Sequence, residues 1–211
     1  MNIADLRAHY TKGGLLESDC DTDPLVQFKK WFNDALKAEV IEPNAMTLST
    51  VQTSGIPKAR IVLLKGVDER GFVFYTNYES AKGQEMQERP FAALTFWWPE
   101  LERQIRIEGN VEKVPHAESD EYFESRPFGS KVGAWVSEQS TIIQGRSVIE
   151  ERLAELEVRF ADGLVTRPPH WGGYLIKPTL LEFWQGRPSR LHDRIRYRKV
   201  EADWKIERLS P

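Results

Sequence analysis

The chain has 211 residues, with 29 Lys and Arg against 32 Asp and Glu, for a formal charge of −3. That balance excludes a general nucleic-acid coat protein, and seven Trp, six Tyr and ten Phe exclude a disordered chain. The single cysteine, Cys20, excludes an intrachain disulfide and a cysteine-rich zinc or iron–sulfur site. Its neighbours Asp19 and Asp21 raise a thiol pKa, which argues against a nucleophilic role. Residues 1–16 lack the apolar stretch of a signal peptide, and no run approaches the ~18 apolar residues of a membrane span. The expected setting is the cytoplasm, with no membrane and no nucleic-acid partner.

Residues 1–22 are polar, carry Gly13-Gly14, and are expected to form a mobile arm ahead of one domain over 23–211. Asp23 as N-cap and Pro24 at the first helical position open a helix. Its apolar face is Leu25, Phe28, Trp31 or Phe32, and Ala35, and Pro43 is its expected stop. From Ala45 the period changes to two, with Met46, Leu48 and Thr50 alternating before a Ser54-Gly55 turn. Segments 58–65 (KARIVLLK) and 72–76 (FVFYT) read as antiparallel strands around a turn at 68–71. Ser80 caps a short helix that ends before Pro90. Segment 91–98 is apolar on both faces and reads as a buried strand, and 101–114 alternates again with Ile105, Ile107 and Val111 inward.

Segment 120–126 reads as a short helix closed by Pro127. Ser147 and Glu150 form a capping box for a helix with Ile149, Leu153, Leu156 and Phe160 on its apolar face. Beyond Trp171-Gly172-Gly173, strands are expected at 174–177, 180–184, 194–200 and 204–209. Short strands with helical inserts predict a mainly β fold, a β-barrel with helical decoration rather than a doubly wound sheet.

No G-x-G-x-x-G, no G-x-x-x-x-G-K-[ST] and no G-x-S-x-G occurs, which disfavours a Rossmann site, a P-loop and a nucleophile elbow. The four His stand far apart, and no metal site is expected. The informative feature is the placing of cations. Arg60 and Lys65 flank an apolar strand, and Lys82 lies in the first turn of the helix after Ser80, where a hydroxyl and an ammonium can hold a phosphate. The plain alternative for Lys82 is a solvated helix lysine. Tyr122 and Arg126 stand four apart on a short helix, with Ser130 in the Gly-containing loop after it, a donor set that suits a phosphate monoester. The alternative there is a helix end whose Arg pairs with Glu118, Glu121 or Glu124. Arg187, Arg190, His192 and Arg194 crowd one turn beside Trp184. Their repulsion is relieved by an anion, and the indole can wall a flat ring. The pattern suits a planar, phosphorylated ligand.

The same residues carry a family likeness. RIVLLK (60–65), FYTN (74–77), LERQ (101–104), YFESRP (122–127), GAWVSEQS (133–140), WGGY (171–174), EFWQG (182–186), RLHDR (190–194) and WKIERLSP (204–211) occur in order. Together they resemble pyridoxine (pyridoxamine) 5′-phosphate oxidase over almost the whole chain. The resemblance implies a split β-barrel with flanking helices, homodimeric, with FMN at the interface and a dimerisation and active-site segment over 171–211. It implies oxidation of pyridoxine or pyridoxamine 5′-phosphate to pyridoxal 5′-phosphate with O2, giving H2O2, and ammonia from the amine. The substrate's C4′ hydrogen is expected to pass to the flavin.

By resemblance, Arg60, Ile61, Val62, Leu63, Leu64, Lys65, Tyr75, Thr76, Lys82, Gln104, Gln139, Ser140, Trp184 and Arg194 match the family's FMN contacts. Lys65, Tyr122, Arg126 and Ser130 match its substrate-phosphate pocket. Arg190 and His192, with Leu191 between them, match the residues beside the reacting carbon, and Arg7 and Tyr10 match a segment that covers the substrate. One position departs: Ser80-Ala81-Lys82 stands where members often carry Ser-Arg-Lys. A missing charge-assisted contact is worth about 1.5–3 kcal/mol, so weaker FMN binding is expected. The competing readings are a non-catalytic carrier of FMN or pyridoxal phosphate, a nicotinamide-using flavin reductase and an RNA-binding barrel. Turnover separates the first, nicotinamide consumption the second and salt-dependent oligonucleotide binding the third.

Overall fold

The computed structural model describes residues 9–211. Arg7 therefore lies outside the described residues. Helix α1 (Pro24–Lys37) starts as its cap dictates: the Asp23 carboxylate accepts the Leu25 N–H at 2.8 Å, and Pro24 needs no partner. Its face of Leu25, Phe28, Trp31 and Ala35 is buried, with Phe28 edge-on to Phe72 and Trp31 edge-on to Phe183. The helix ends at Lys37, well before Pro43, as Glu39 takes a left-handed turn (φ 53°).

Strands β1 (Ala45–Val51), β2 (Pro57–Leu63), β3 (Gly66–Asp68), β4 (Gly71–Asn77), β5 (Phe91–Trp98), β6 (Arg103–Lys113), β7 (Trp171–Gln185), β8 (Asp193–Val200) and β9 (Asp203–Arg208) form one antiparallel sheet. Its order is β2-β1-β5-β6-β7-β4-β3, and β8 joins β7 and carries β9. The sheet curls around a core of aromatic and aliphatic side chains, among them Phe72, Phe74, Phe96, Ile105, Phe183 and Tyr197. The mainly β architecture with helical inserts is the one the sequence pattern predicts.

Further local expectations differ. Segment 91–98 is not buried on both faces: Ala92, Leu94, Phe96 and Trp98 point inward, while Phe91 and Trp97 point out. The two strands expected at 174–177 and 180–184 are one, because Pro178 sits at a bulge. The β6 register runs Gly109↔Pro178 and then Glu108↔Leu180, so the missing proline N–H costs no ladder bond. Helix α3 (His116–Glu124) starts earlier and stops before Arg126. Residues expected as a loop form helix α4 (Phe128–Val136), held by Val132, Ala134 and Val136 packed with Phe123, Phe160 and Trp171.

Helix α2 (Ala81–Glu88) is capped by Ser80, whose hydroxyl accepts the Gly83 N–H. Helix α5 (Ser147–Arg159) lacks the expected capping box. Ser147 is already helical, and Glu150 pairs with Arg146 instead. Of its expected face, Ile149 is exposed, Leu153 and Leu156 are half-buried, and Phe160 is buried just beyond the helix end. The arm is not free of the core either, since Leu15 is 2% exposed within the main cluster.

A Cβ at Gly109 would lie 2.2 Å from the Lys177 carbonyl oxygen across the bulge. Gly109→Ala is expected to lower stability by about 1–3 kcal/mol through overpacking, read as a lower urea midpoint with unchanged slope.

Candidate active site

Two groups of polar side chains form at opposite ends of β7. The first sits where β4 runs into α2. Lys82 reaches back from the first helical turn, and its Nζ donates to Thr76 Oγ1 (3.1 Å), Ser80 Oγ (3.0 Å) and Gln139 Oε1 (2.6 Å). All three acceptors are neutral. Burial, and then the nearby Arg60, lower the Lys82 pKa to about 8. Arg60 itself is committed to Glu85 (2.9 Å) and to Thr50 on β1. Of its neighbours on the edge strand β2, Ile61 and Leu63 are exposed and Val62 is half-buried, and beyond the strand end Leu64 is buried. Ala81 is exposed and takes no part, so Arg60 stands as the second cation near Lys82.

Beside this corner, Tyr75 on β4 joins Tyr122 and Trp171 in a three-ring cluster. It stacks on Tyr122 of α3 at 3.9 Å and on Trp171 of β7 at 5.6 Å, with the planes within 16°. Burial pushes its hydroxyl pKa up to about 12. Tyr75 divides two cavities. One, of about 320 Å3, is lined by Lys65, Val73, Tyr122 and Glu118. The other, of about 300 Å3, is lined by Thr76, Arg126, Ser130, Gln139 and Trp171. Arg126 is brought in not by a shared helix face with Tyr122 but by stacking: its guanidinium lies 4.6 Å over the Trp171 ring. Its Nη1 is buried without a hydrogen-bond partner, and burial lowers its pKa. A buried guanidinium nitrogen without an acceptor carries a desolvation cost that an anion in the cavity removes. The three nearby glutamates, which offered the plainer reading, make no ion pair with it. Ser130 is on α4, one turn beyond Pro127, and Ser140 lies beyond Gln139 in a left-handed conformation (φ 74°).

The second group lies at the far end of β7. Gln104 on β6 pairs in register with Trp184 on β7, which pairs with Arg194 on β8. Trp184 lies 4.5 Å from the His192 ring, and Tyr10 stands edge-on to both, at 5.7 Å and 5.6 Å. The crowded arginines are mostly neutralised within the chain. Arg194 binds the buried Glu182 at 2.8 Å, and Arg187 approaches Asp193. Arg190, in a left-handed turn (φ 62°), and Leu191 are exposed. His192 Nδ1 accepts the Arg187 backbone N–H at 3.1 Å. Burial and then Arg190 hold the imidazole below its usual pKa, so at neutral pH it is neutral with its proton on Nε2.

The two groups lie at opposite ends of one strand: Trp171 and Trp184 are thirteen positions apart along β7, a contour of roughly 40 Å at strand rise. Sequence reading missed Trp171 and Glu182 as site residues. Both lie inside the WGGY and EFWQG motifs, where an aromatic before Gly-Gly and a Glu beside an Arg cluster were the available signals. Among the described residues, no cluster of His, Cys, Asp and Glu is arranged to hold a metal, and no helix is long and apolar enough to cross a membrane.

The curled sheet is a split barrel. A solved pyridoxamine 5′-phosphate oxidase-related, FMN binding protein from Nostoc punctiforme shares the fold at TM-score 0.71 and 17% identity, over 91% of this chain and all of that one. A solved PhzG from Burkholderia lata 383, in complex with tetrahydrophenazine-1-carboxylic acid, matches at TM-score 0.87 and 32% identity over 93% of this chain and 98% of that chain. The pyridoxamine 5′-phosphate oxidase family model covers residues 32–160, and that of the pyridoxine 5′-phosphate oxidase C-terminal dimerisation region covers 171–211. Among curated relatives, the pyridoxine/pyridoxamine 5′-phosphate oxidase of Cupriavidus pinatubonensis is 61% identical over 99% of both chains. That of Cyanothece sp. is 58% identical over 100% of this chain and 99% of its own. The chain belongs to the pyridoxamine 5′-phosphate oxidase family and is an oxidoreductase.

The His192 assignment is open to direct test. A long-range 1H–15N spectrum is expected to show Nε2 protonated at pH 7 and a titration midpoint below 6.5. A proton on Nδ1 would contradict the bond from Arg187.

Proposed function

We propose that the enzyme is an FMN-dependent oxidase that converts pyridoxine 5′-phosphate or pyridoxamine 5′-phosphate to pyridoxal 5′-phosphate. The alcohol and O2 give the aldehyde and H2O2. The amine consumes one water in addition and releases ammonia. The observation that carries this reading is the half-buried Arg126, stacked on Trp171 with its Nη1 unpartnered, on the wall of a cavity that Ser130 also lines. A phosphate monoester supplies the acceptor this nitrogen lacks, with Tyr122 and Lys65 closing the neighbouring cavity across Tyr75.

The residues around Lys82 fit the phosphate of FMN. The ammonium donates only to neutral oxygens, the Ser80 cap stands beside it, and the nearby Glu85 carboxylate is engaged by Arg60 and Thr50. FMN, when bound there, supplies the two-electron acceptor that O2 regenerates. Thr76, Gln139 and Ser140 line its phosphate end, and Gln104, Trp184 and Arg194 meet its ring portion. The exposed apolar residues of β2, from Ile61 to Leu64, flank the same ligand. The phosphate grip on the substrate acts as a remote handle that fixes the C4′ carbon in line for reaction.

Arg190 and the neutral His192 orient the C4′ substituent, His192 by donating from Nε2. One chain cannot bring them to its own Arg126, because β7 holds the two groups at its opposite ends. We therefore read the enzyme as a homodimer in which each site takes one group from each copy. The match of residues 171–211 to a dimerisation region supports this.

Anaerobic addition of pyridoxine 5′-phosphate is expected to bleach the flavin absorbance of the purified protein. A flavin band that persists would overturn the oxidase reading. Arg126→Ala should raise KM for the phosphorylated substrate by about ten- to a hundredfold, the worth of a charge-assisted bond, with FMN content unchanged. For Lys82, the sign follows from its lowered pKa. It is charged below about pH 8 and loses its charge as pH rises through that value. FMN affinity, followed by flavin fluorescence, should therefore weaken above pH 8, and Lys82→Gln should abolish that dependence.

A further inference from the structure

The arm from Tyr10 to Glu17 is stapled to the barrel by carboxylates, and one of them has no role in the account above. Glu102 lies in the turn between β5 and β6. It is only 8% exposed, with a left-handed backbone (φ 54°, ψ 39°) that a residue with a Cβ adopts at a cost. Its Oε2 accepts two consecutive main-chain donors of the arm, Thr11 N–H at 2.8 Å and Lys12 N–H at 3.0 Å. Its carbonyl oxygen accepts the Gly186 N–H at 2.8 Å. Gly186 is in turn the seat of the Tyr10 ring: a Cβ there would come within 2.7 Å of Tyr10 Cγ. Glu102 therefore grips both sides of Tyr10, the chain that follows it and the backbone it rests on. Farther along, Asp193 Oδ2 accepts the Leu15 N–H, Arg187 donates to the Gly13 carbonyl, and Arg208 binds Glu17 and Asp193.

We infer that Glu102 is a positioning residue for the reaction: it sets Tyr10 edge-on against His192 and Trp184, and through Tyr10 it fixes the imidazole that faces the substrate. Ion pairs at the rim hold the arm from Gly13 onward. The Glu102 carboxylate is the anchor adjacent to Tyr10, and its grip on two neutral backbone amides is independent of side-chain charge on the arm. The kinetic part of this inference rests on the substrate reading above, and the exchange part does not.

The test combines hydrogen exchange with a double-mutant cycle. In the unmodified holoenzyme, the Thr11 and Lys12 amides are expected to be protected, and Glu102→Ala should speed their exchange by about tenfold or more. Glu102→Ala should also raise KM for pyridoxine 5′-phosphate by about tenfold, with kcat within about twofold and flavin absorbance unchanged. In a Tyr10→Ala background, the same substitution should change KM by less than about twofold, because Glu102 acts through Tyr10. Full additivity with Tyr10→Ala would overturn the inference, and so would free-chain exchange at Thr11 and Lys12 in the unmodified enzyme. If Glu102→Ala does not fold, Gly186→Ala displaces the Tyr10 ring with Glu102 intact. It should give the same KM rise, and an unchanged KM overturns the proposal. If the substrate reading itself fails, no protein turns over, and the exchange result still decides whether Glu102 holds the arm.

Discussion

Strand β7 bonds to β6 from Tyr174 to Gln185, to β4 over its first half and to β8 over its second. Three partners on one strand are possible only because the sheet curls and the strand passes from one pairing to the next at the Pro178 bulge. At its start, Gly172 and Gly173 let Tyr78, Tyr75 and Val114 approach the backbone closer than any Cβ allows. That close approach seats Tyr75 against Tyr122 and Trp171, and so builds the wall the two cavities share. At its end, Trp184 and the buried Glu182 organise the group around His192 and Arg194. The rigidity of one strand thus sets both the form of each half-site and the distance between them.

Electrostatics separate the cations that already hold a carboxylate of their own chain from those that hold none. Arg60, Arg103, Arg106, Arg194 and Arg208 each meet a carboxylate of the same chain within 3 Å. Lys82 meets only neutral oxygens, and Arg126 keeps a buried nitrogen unpartnered. Both have pKa values lowered chiefly by burial. Desolvated cations without a counter-ion cost stability unless an anion arrives, which is why they mark the site more sharply than a count of basic residues.

Elements whose determinants are local were legible in the sequence. Asp23-Pro24 and the Ser80 cap define the starts of α1 and α2, and alternation through Ile105, Ile107 and Val111 defines β6. Elements fixed by distant partners were not. Pro178 is tolerated because Gly109 faces it, 69 residues away in the chain. The α4 segment carries two glycines and is helical because Phe123, Phe160 and Trp171 cover it. The arginines of 187–194 read as mutually repelling because Glu182, which neutralises Arg194, lies across the β7–β8 strand pair. Glu102 gave no local sign at all, since its partners lie about ninety residues upstream. Motif resemblance supplied candidate site residues where periodicity could not, and the fold shows which of them already hold a carboxylate of the chain.

The central claim is that each active site needs the Arg126 end of one copy and the Arg190 end of another. Complementation tests it most directly. Arg126→Ala and Arg190→Met proteins, each of low activity at limiting substrate, are refolded together and assayed. Random pairing into two-fold dimers restores one intact site in half of the dimers, about 25% of unmodified activity. Recovery near that level is the predicted result, and a mixture no more active than its components would contradict the account.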